Sequence, residues 1–280
     1  MNIGSVRKIS IVGVGFMGGS LAQALKNKFP KISIWGYARN RRSYAKLNKL
    51  KALDRIEKDL GKCIEGAEIV VLALPVGNIL EYFVKIAPFL KKEAIVFDLG
   101  STKADIEKAA RKFLPKTVSF VGCHPLCGSE KSGAEFSDPG LYKNALCIIT
   151  SSSRSPAAFF VERLWRRLGS EVVFMDAASH DKILSFVSHL PHLISFSFMR
   201  SVPDSYVKFS GASFKDLTRI AASRAPVWAD VFLSNKKNII RDLDSFIKVL
   251  RKFSVLLKKN NKQEVVDLIK RINLKASRLP

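Results

Sequence analysis

Residues 9–28 hold the stretch that most restricts what this chain can fold into. A β-branched run over Ile9–Val14 leads into Gly13-Val14-Gly15-Phe16-Met17-Gly18, and apolar residues then recur at helical spacing from Met17 to Lys28. A G-x-G-x-x-G turn that ends a strand and opens a helix has a specific physical use. Its first two glycines let the backbone turn and come close to a pyrophosphate, and the third lets the helix pack on the strand. The N–H groups at the helix start then favour the phosphate charge. Gly13, Gly15, Phe16, Met17 and Gly18 are therefore assigned to a dinucleotide site.

The first half of the chain keeps this alternation. Further strands are expected at Ile32–Tyr37, Glu68–Leu74, Ala94–Leu99, Val118–Val121, Ala145–Thr150 and Glu171–Met175. Helical spacing separates them over Arg42–Leu53, Ile79–Leu90, Lys103–Phe113 and Pro156–Leu168. Continuous apolar strands alternating with amphipathic segments predict an α/β, Rossmann-like domain with a mostly parallel sheet covered on both faces. Beyond Asp176 the strand-like runs stop. Helical spacing continues through Ala177–Val202, Phe214–Ala222, Val227–Leu233, Lys237–Lys258 and Gln263–Ile272. The expected organisation is a dinucleotide-binding domain at 1–175 and an all-α domain at 176–280.

Composition narrows the setting. Four cysteines in 280 residues do not make a disulfide framework, which suits a reducing compartment. Arg7-Lys8 ahead of an apolar run, with Ala22-Gln23-Ala24 after it, imitates a secretory leader, but four glycines interrupt the run and strand-like sequence follows. No apolar stretch reaches the roughly 18–20 residues of a membrane span. The cytoplasm is the expected location. The net charge of +23 favours anionic ligands, yet the lysines are spread along the chain, as on an ordinary solvated surface. A basic nucleic-acid-binding protein with a vestigial Rossmann-like domain would instead show salt-sensitive binding and no nicotinamide chemistry. No nucleic-acid or membrane partner is expected.

One part of the dinucleotide pattern is missing. The acid that bonds the adenosine ribose of NAD normally lies about 20 residues on, at the end of the second strand. Ala38 stands there, and no Asp or Glu occurs before Asp54. Arg39, Arg41 and Arg42 follow instead. Guanidinium groups suit a 2′-phosphate and a carboxylate would repel it. The cofactor expected is NADP, contacted by Arg39, with NAD as the alternative.

The remaining chemistry is sought in the stretch CHPLCGSEKSG (123–133) and among the four histidines, His124, His180, His189 and His192. A zinc site built from Cys123, His124, Cys127 and SHLPH (188–192) would need an uncommon C-x3-C spacing without a second cysteine pair, so no metal is expected. A histidine beside a nicotinamide can instead accept the proton of an alcohol as hydride leaves the same carbon. Pro125 would fix the turn after His124, and Gly128 and Gly133 would let the backbone approach a ligand. His189 and His192 share a helix face if the helix continues through Pro191.

These stretches, GVGFMGGSLA (13–22), DLGSTK (98–103), CHPLCGSEKSG, SHLPH and FKDLTRIA (214–221), resemble in content and order the prephenate and arogenate dehydrogenases of tyrosine biosynthesis. The resemblance covers about residues 8–235. It departs at Ala38, which bears on cofactor choice, and at Cys123 and Cys127, where other small residues are more usual. It implies oxidative decarboxylation of prephenate to 4-hydroxyphenylpyruvate, or of arogenate to tyrosine. His124 matches the catalytic histidine. Ser101 matches the serine that holds this imidazole beside the nicotinamide, although a helix N-cap would equally account for it. Arg219 matches the residue that grips the substrate's side-chain carboxylate, and His189 and His192 line the same pocket. Glu130 and Asp216 match acids that place Arg219, with Ser129 and Lys215 as weaker matches.

The C-terminal run IIRDLDSFIKVLRKFSVLLKK carries an apolar stripe that must be buried. The resemblance implies that it is buried in a homodimer through the helical domain; an intrachain bundle would bury it as well. Another two-domain NAD(P) enzyme, a hydroxyacid or imine reductase, would want a catalytic lysine and would leave the histidine loop unexplained.

Overall fold

In the computed structural model, residues 3–48, 50–128, 133–151 and 155–278 are described, the side chains of 41–43 excepted. Eight strands form one sheet: β1 (Lys8–Val12), β2 (Ser33–Tyr37), β3 (Arg55–Glu57), β4 (Ile69–Leu72), β5 (Ile95–Asp98), β6 (Ser119–Pro125), β7 (Leu146–Thr150) and β8 (Glu171–Met175). Their order is β3-β2-β1-β4-β5-β6-β7-β8, and every neighbouring pair is parallel except β6 with β7. The order reverses between β1 and β4, and ligands of open α/β sheets bind at such a reversal, beyond the carboxyl ends of the strands.

The helices that cover the sheet are α1 (Phe16–Lys28), α2 (Arg41–Leu47), α3 (Leu60–Ile64), α4 (Val76–Ile86), α5 (Ala104–Phe113) and α6 (Pro156–Arg167). Then come α7 (Ala177–Leu184), α8 (Leu190–Ser201), α9 (Ala212–Thr218), α10 (Ala225–Ser234), α11 (Lys236–Lys258) and α12 (Lys262–Ala276). Every residue of β4 is buried, and β5 is likewise buried throughout. Their side chains feed two apolar layers, one containing Leu21, Phe97 and Trp165, the other Val70, Phe83 and Ile106. Full burial of such side chains stabilises by about 1.5–3 kcal/mol each.

Three local features depart from the sequence expectation. The helical spacing over 42–53 is only partly helix: α2 stops at Leu47, and Leu50 and Ala52 reach the core from a turn. The strand β3 escapes notice because only Ile56 of its three residues is apolar and it lies on the sheet edge. The expected continuous helix over 177–202 is interrupted by a π-helical turn at Ser185–His189, which joins α7 to α8.

By compactness the chain forms two units, 1–235 and 236–280. The second consists of α11 and α12, whose start is capped by Asn261 accepting from the backbone N–H of Glu264 at 3.2 Å. Several large apolar side chains of these helices are exposed, among them Leu250, Leu257, Ile269 and Leu274.

Candidate active site

Sheet register gathers the chemistry on one edge. Val12, Leu72 and Asp98 are mutually paired row by row across β1, β4 and β5, and Phe97 pairs with Val121 of β6. Gly13 follows that row directly, and His124 lies three residues beyond Val121 in β6. The strand ends thus bring the glycine turn and the histidine to the same side of the sheet.

The glycine turn has the form a dinucleotide needs. Gly13 has φ +96°, and a Cβ there would fall 2.4 Å from the carbonyl oxygen of Ala73. A Cβ at Gly18 would fall 2.3 Å from the carbonyl oxygen of Gly13, so this glycine permits close helix–strand contact. At Gly15, by contrast, a Cβ would meet nothing within 4 Å, which leaves open space over the backbone. Helix α1 starts there without a side-chain cap and without an acid in its first turn. Its first N–H groups remain available to an anion. The residues present fit a pyrophosphate.

The end of β5 is anchored by charge. Asp98 and Lys103 are fully buried, and the ammonium pairs with Asp98 Oδ2 while donating to the carbonyl of Cys123 at 2.7 Å. Asp98 also accepts from the backbone N–H of Gly100 at 2.7 Å and of Cys123 at 3.2 Å. Burial pushes the Asp98 carboxyl up, against the pull of Lys103 and these amides. The cluster ties the β5 loop to the residue before His124.

His124 is half-buried, and its Nδ1 lies 2.8 Å from Nε2 of His180 on α7. His180, itself fully buried, sets Nδ1 2.8 Å from Asp181 Oδ1. Asp181 in turn accepts from the backbone N–H groups of Lys103 at 2.8 Å and Ala104 at 2.9 Å, at the start of α5. Burial, with His180, Lys103 and His189 nearby, holds the His124 imidazole well below the ordinary histidine value. Burial also lowers His180, partly offset by Asp181. For Asp181, burial acts upward, but the bonds from His180, Ala104 and Lys103 prevail and its pKa lies below the ordinary value.

A second group lies beyond His180. Asn235 donates through Nδ2 to the backbone carbonyl of Asp181 at 2.7 Å, and the same amide lies 3.1 Å from His189 Nδ1. His189 is buried, its Nε2 lacks a partner among the described residues, and burial is the main cause that brings its pKa to about 4. His192 stacks on Trp228 with ring centroids 3.5 Å apart, and His189 meets the same indole edge-on at 6.2 Å. The π-helical turn and Pro191 at the start of α8 thus leave both histidines facing Trp228. Burial lowers His192, and the positive charge of Arg219 adds to the effect. Arg219 is exposed, just after α9, and makes no ion pair among the described residues.

The other expected site residues are placed as follows. Phe16 and Met17 begin α1, and Tyr142 donates to the Met17 carbonyl at 2.7 Å. Ala38 is buried after β2, and Arg39 beside it is exposed. Ser101 lies in the loop after β5; the N-cap position of α5 belongs to Lys103, and the carboxylate on that helix start comes from Asp181. Lys215 and Asp216 are exposed on α9, with no Asp216–Arg219 ion pair among the described residues. Ser129 and Glu130 lie outside the described residues. The four cysteines are unbridged, and burial pushes Cys63 and Cys127 up to about 12, which keeps both as thiols at neutral pH. Among the described residues, no group of three His, Cys, Asp or Glu could hold a metal ion, and no helix is long and apolar enough to cross a membrane.

Sequence reasoning did not single out Asp98, Lys103, His180, Asp181, Trp228 or Asn235 as site residues. A buried-strand run that ends in Asp, followed five residues on by Lys, was an available signal for the first two.

Comparison with known proteins gives a consistent result. The prephenate dehydrogenase nucleotide-binding domain family matches residues 21–174, and the prephenate dehydrogenase dimerization domain family matches 176–271. The chain is 31% identical over 269 residues to a prephenate dehydrogenase of Lactococcus lactis subsp. cremoris, covering 93% of this chain and 74% of that protein. It is 30% identical over 255 residues to a cyclohexadienyl dehydrogenase of Zymomonas mobilis subsp. mobilis, covering 88% and 87%. The crystal structure of a prephenate dehydrogenase from A. aeolicus, solved with hydroxyphenyl propionate and NAD+, superposes with a TM-score of 0.91 at 32% identity, over 99% of both chains. A Synechocystis arogenate dehydrogenase shares the fold, with a TM-score of 0.81 at 23% identity over 97% of this chain and 99% of that one.

Proposed function

The chain belongs to the prephenate dehydrogenase family, whose oxidative decarboxylation of prephenate to 4-hydroxyphenylpyruvate is its activity, and we propose which of its residues carry that reaction. His124 is the acid–base group. Its Nδ1 is committed to His180, which leaves Nε2 for the ring hydroxyl of the substrate. Nε2 accepts the hydroxyl proton as the carbinol carbon is oxidised. It returns a proton to that oxygen as carbon dioxide leaves the opposite ring carbon and the ring becomes aromatic. When bound, the nicotinamide supplies the hydride acceptor. Aromatisation supplies most of the driving force, so the protein's task is to orient the ring and polarise its hydroxyl.

The glycine turn, Gly13 to Gly18, and the start of α1 hold the pyrophosphate, with Ser101 beside the nicotinamide. Arg219 binds the side-chain carboxylate, assisted by His189 and His192, whose place around Trp228 supports one shared pocket. His189 Nε2, without a partner among the described residues, is the kind of buried donor that a substrate oxygen satisfies. Glu130, Asp216, Ser129 and Lys215 complete the set as residues that place Arg219 or border the substrate. NADP is the preferred dinucleotide: Ala38 offers no carboxylate to the ribose, and exposed Arg39 adjoins it. The helical region carries a homodimer contact, supported by the exposed apolar side chains of α11 and α12.

The observation that carries this reading is the half-buried His124 at the carboxyl edge of the sheet with one ring nitrogen already committed. Two measurements test it. His124→Asn is expected to lower turnover by about 10²- to 10⁴-fold with cofactor affinity unchanged, and near-normal turnover would refute the role. A four-way assay of prephenate or arogenate with NADP or NAD should give the highest kcat/KM for prephenate with NADP. More efficient use of NAD would sink the cofactor choice, and preference for arogenate would sink the substrate choice.

A further inference from the structure

His180 and Asp181 form a continuous line of hydrogen bonds behind His124, of which the reaction described above uses only the contact of His180 with His124 Nδ1 and leaves its protons unassigned. The protons in this line can be placed by elimination. Asp181 takes the backbone N–H of Lys103 on Oδ1 and that of Ala104 on Oδ2, both at the start of α5. A carboxylate so engaged is ionised and can only accept, so the 2.8 Å contact with His180 requires the proton on His180 Nδ1. A neutral imidazole protonated at Nδ1 has an acceptor at Nε2. The 2.8 Å contact with His124 therefore requires a proton on His124 Nδ1, and His124 Nε2 is left bare.

We propose that His180 and Asp181 are positioning residues that fix the tautomer of His124, so that Nε2 meets the substrate hydroxyl as an acceptor. The proposal rests on the acid–base role assigned to His124. The same line serves during the reaction. When Nε2 takes the proton, the imidazolium keeps its Nδ1–H bond to His180, and the ionised Asp181 polarises that bond from the far side. Asp181 is held in turn by the backbone N–H groups of Lys103, the N-cap of α5, and Ala104, its first residue, and by Asn235 through its own carbonyl. The plainer explanation is that Asp181 only anchors α5 and His180 only fills space. These explanations differ in what they require of His124.

Imidazole ¹⁵N NMR of the full chain separates them, since only four histidines contribute. Single histidine variants assign the signals. At neutral pH, His124 should carry its proton on Nδ1 with Nε2 unprotonated; the opposite tautomer in the wild-type protein would overturn the proposal. His180→Phe removes the acceptor while keeping a flat ring, and should lower kcat by at least tenfold with KM changed less than twofold. His180→Gln, whose side-chain oxygen can accept from Nδ1–H, should return a measurable part of that loss. Wild-type kcat in His180→Phe would also overturn the proposal. The two levels fail differently. Active His124→Asn removes the acid–base role, whereas inactive His124→Asn with unimpaired His180→Phe removes only the positioning role of His180 and Asp181.

Discussion

Lys103→Met probes the buried charge that ties the β5 loop to the strand bearing His124. Both members of the Asp98–Lys103 pair have 0% exposed side chains. The substitution keeps most of the chain length and the apolar stem but deletes the ammonium. Asp98 is then left with the amides of Gly100 and Cys123, and the Cys123 carbonyl loses its 2.7 Å donor. Breaking one side of a buried ion pair costs about 3–5 kcal/mol, a large share of the roughly 5–15 kcal/mol that holds a domain folded. The loss should also depend on pH. Burial already raises Asp98, and Lys103 is the strongest influence holding it down. Without Lys103 the folded-state value rises further above the unfolded one, so the folded variant binds the proton more tightly than the unfolded chain. Stability from such a group is complete below the unfolded pKa and is lost as pH climbs through the folded one. The deficit against wild type is therefore largest on the alkaline side and narrows as the pH falls toward the ordinary carboxylate range. Urea unfolding followed by tryptophan fluorescence reads this directly, since Trp35, Trp165 and Trp228 all lie in the unit 1–235. A deficit under about 1 kcal/mol at the higher pH, or one that does not narrow on acidification, would refute the reasoning.

The pH profile of the enzyme follows from the depressed His124 imidazole: kcat/KM should persist below the usual histidine range and fall only when the pH drops through the lowered value, and an acid limb near 6.5 would contradict it. The two glycines of the turn should separate cleanly. Gly13→Ala places a Cβ 2.4 Å from the Ala73 carbonyl at φ +96° and should lower the melting temperature, whereas Gly15→Ala meets no atom within 4 Å and should melt like wild type while weakening NADP binding in a fluorescence titration. Arg219→Lys keeps the charge but not the planar fork, so KM for prephenate should rise at least several-fold with kcat less affected, measured in steady state; an unchanged KM would remove Arg219 from the carboxylate site.

What the sequence disclosed and what it hid divide along physical lines. The glycine turn is legible because its requirement is local: a positive φ at Gly13 and close packing at Gly18 can be met by few other residues. Sheet order follows from alternating strands and helices, and His124 stands out through its Pro and Gly neighbours. His180 and Asp181 are different. They are separated from His124 by 56 and 57 positions, and on α7 they read as ordinary polar residues near a helix start. Their role comes from a contact between β6 and a helix beyond β8, which periodicity on either element does not encode. Ser101 looked equally like a helix cap, yet the caps of α5 arrive from Asp181, far along the chain. Helical spacing over 42–53 misled for a related reason: Leu50 and Ala52 are buried by a turn that keeps the same apolar rhythm as a helix.

The π-helical turn at Ser185–His189 amounts to one extra residue in an otherwise regular rod, since each π turn closes over one more position than an α turn. A single deletion within it would let α7 run straight into α8, with better local geometry than the native chain has. It would also turn α8 by about 100° around the axis relative to α7, carrying His192 and the Trp228 stacked on it away from His180. Shortening this segment would thus create a tidier helix and a disassembled pocket, so its apparent imperfection is a spacer that sets the angular phase of half the site.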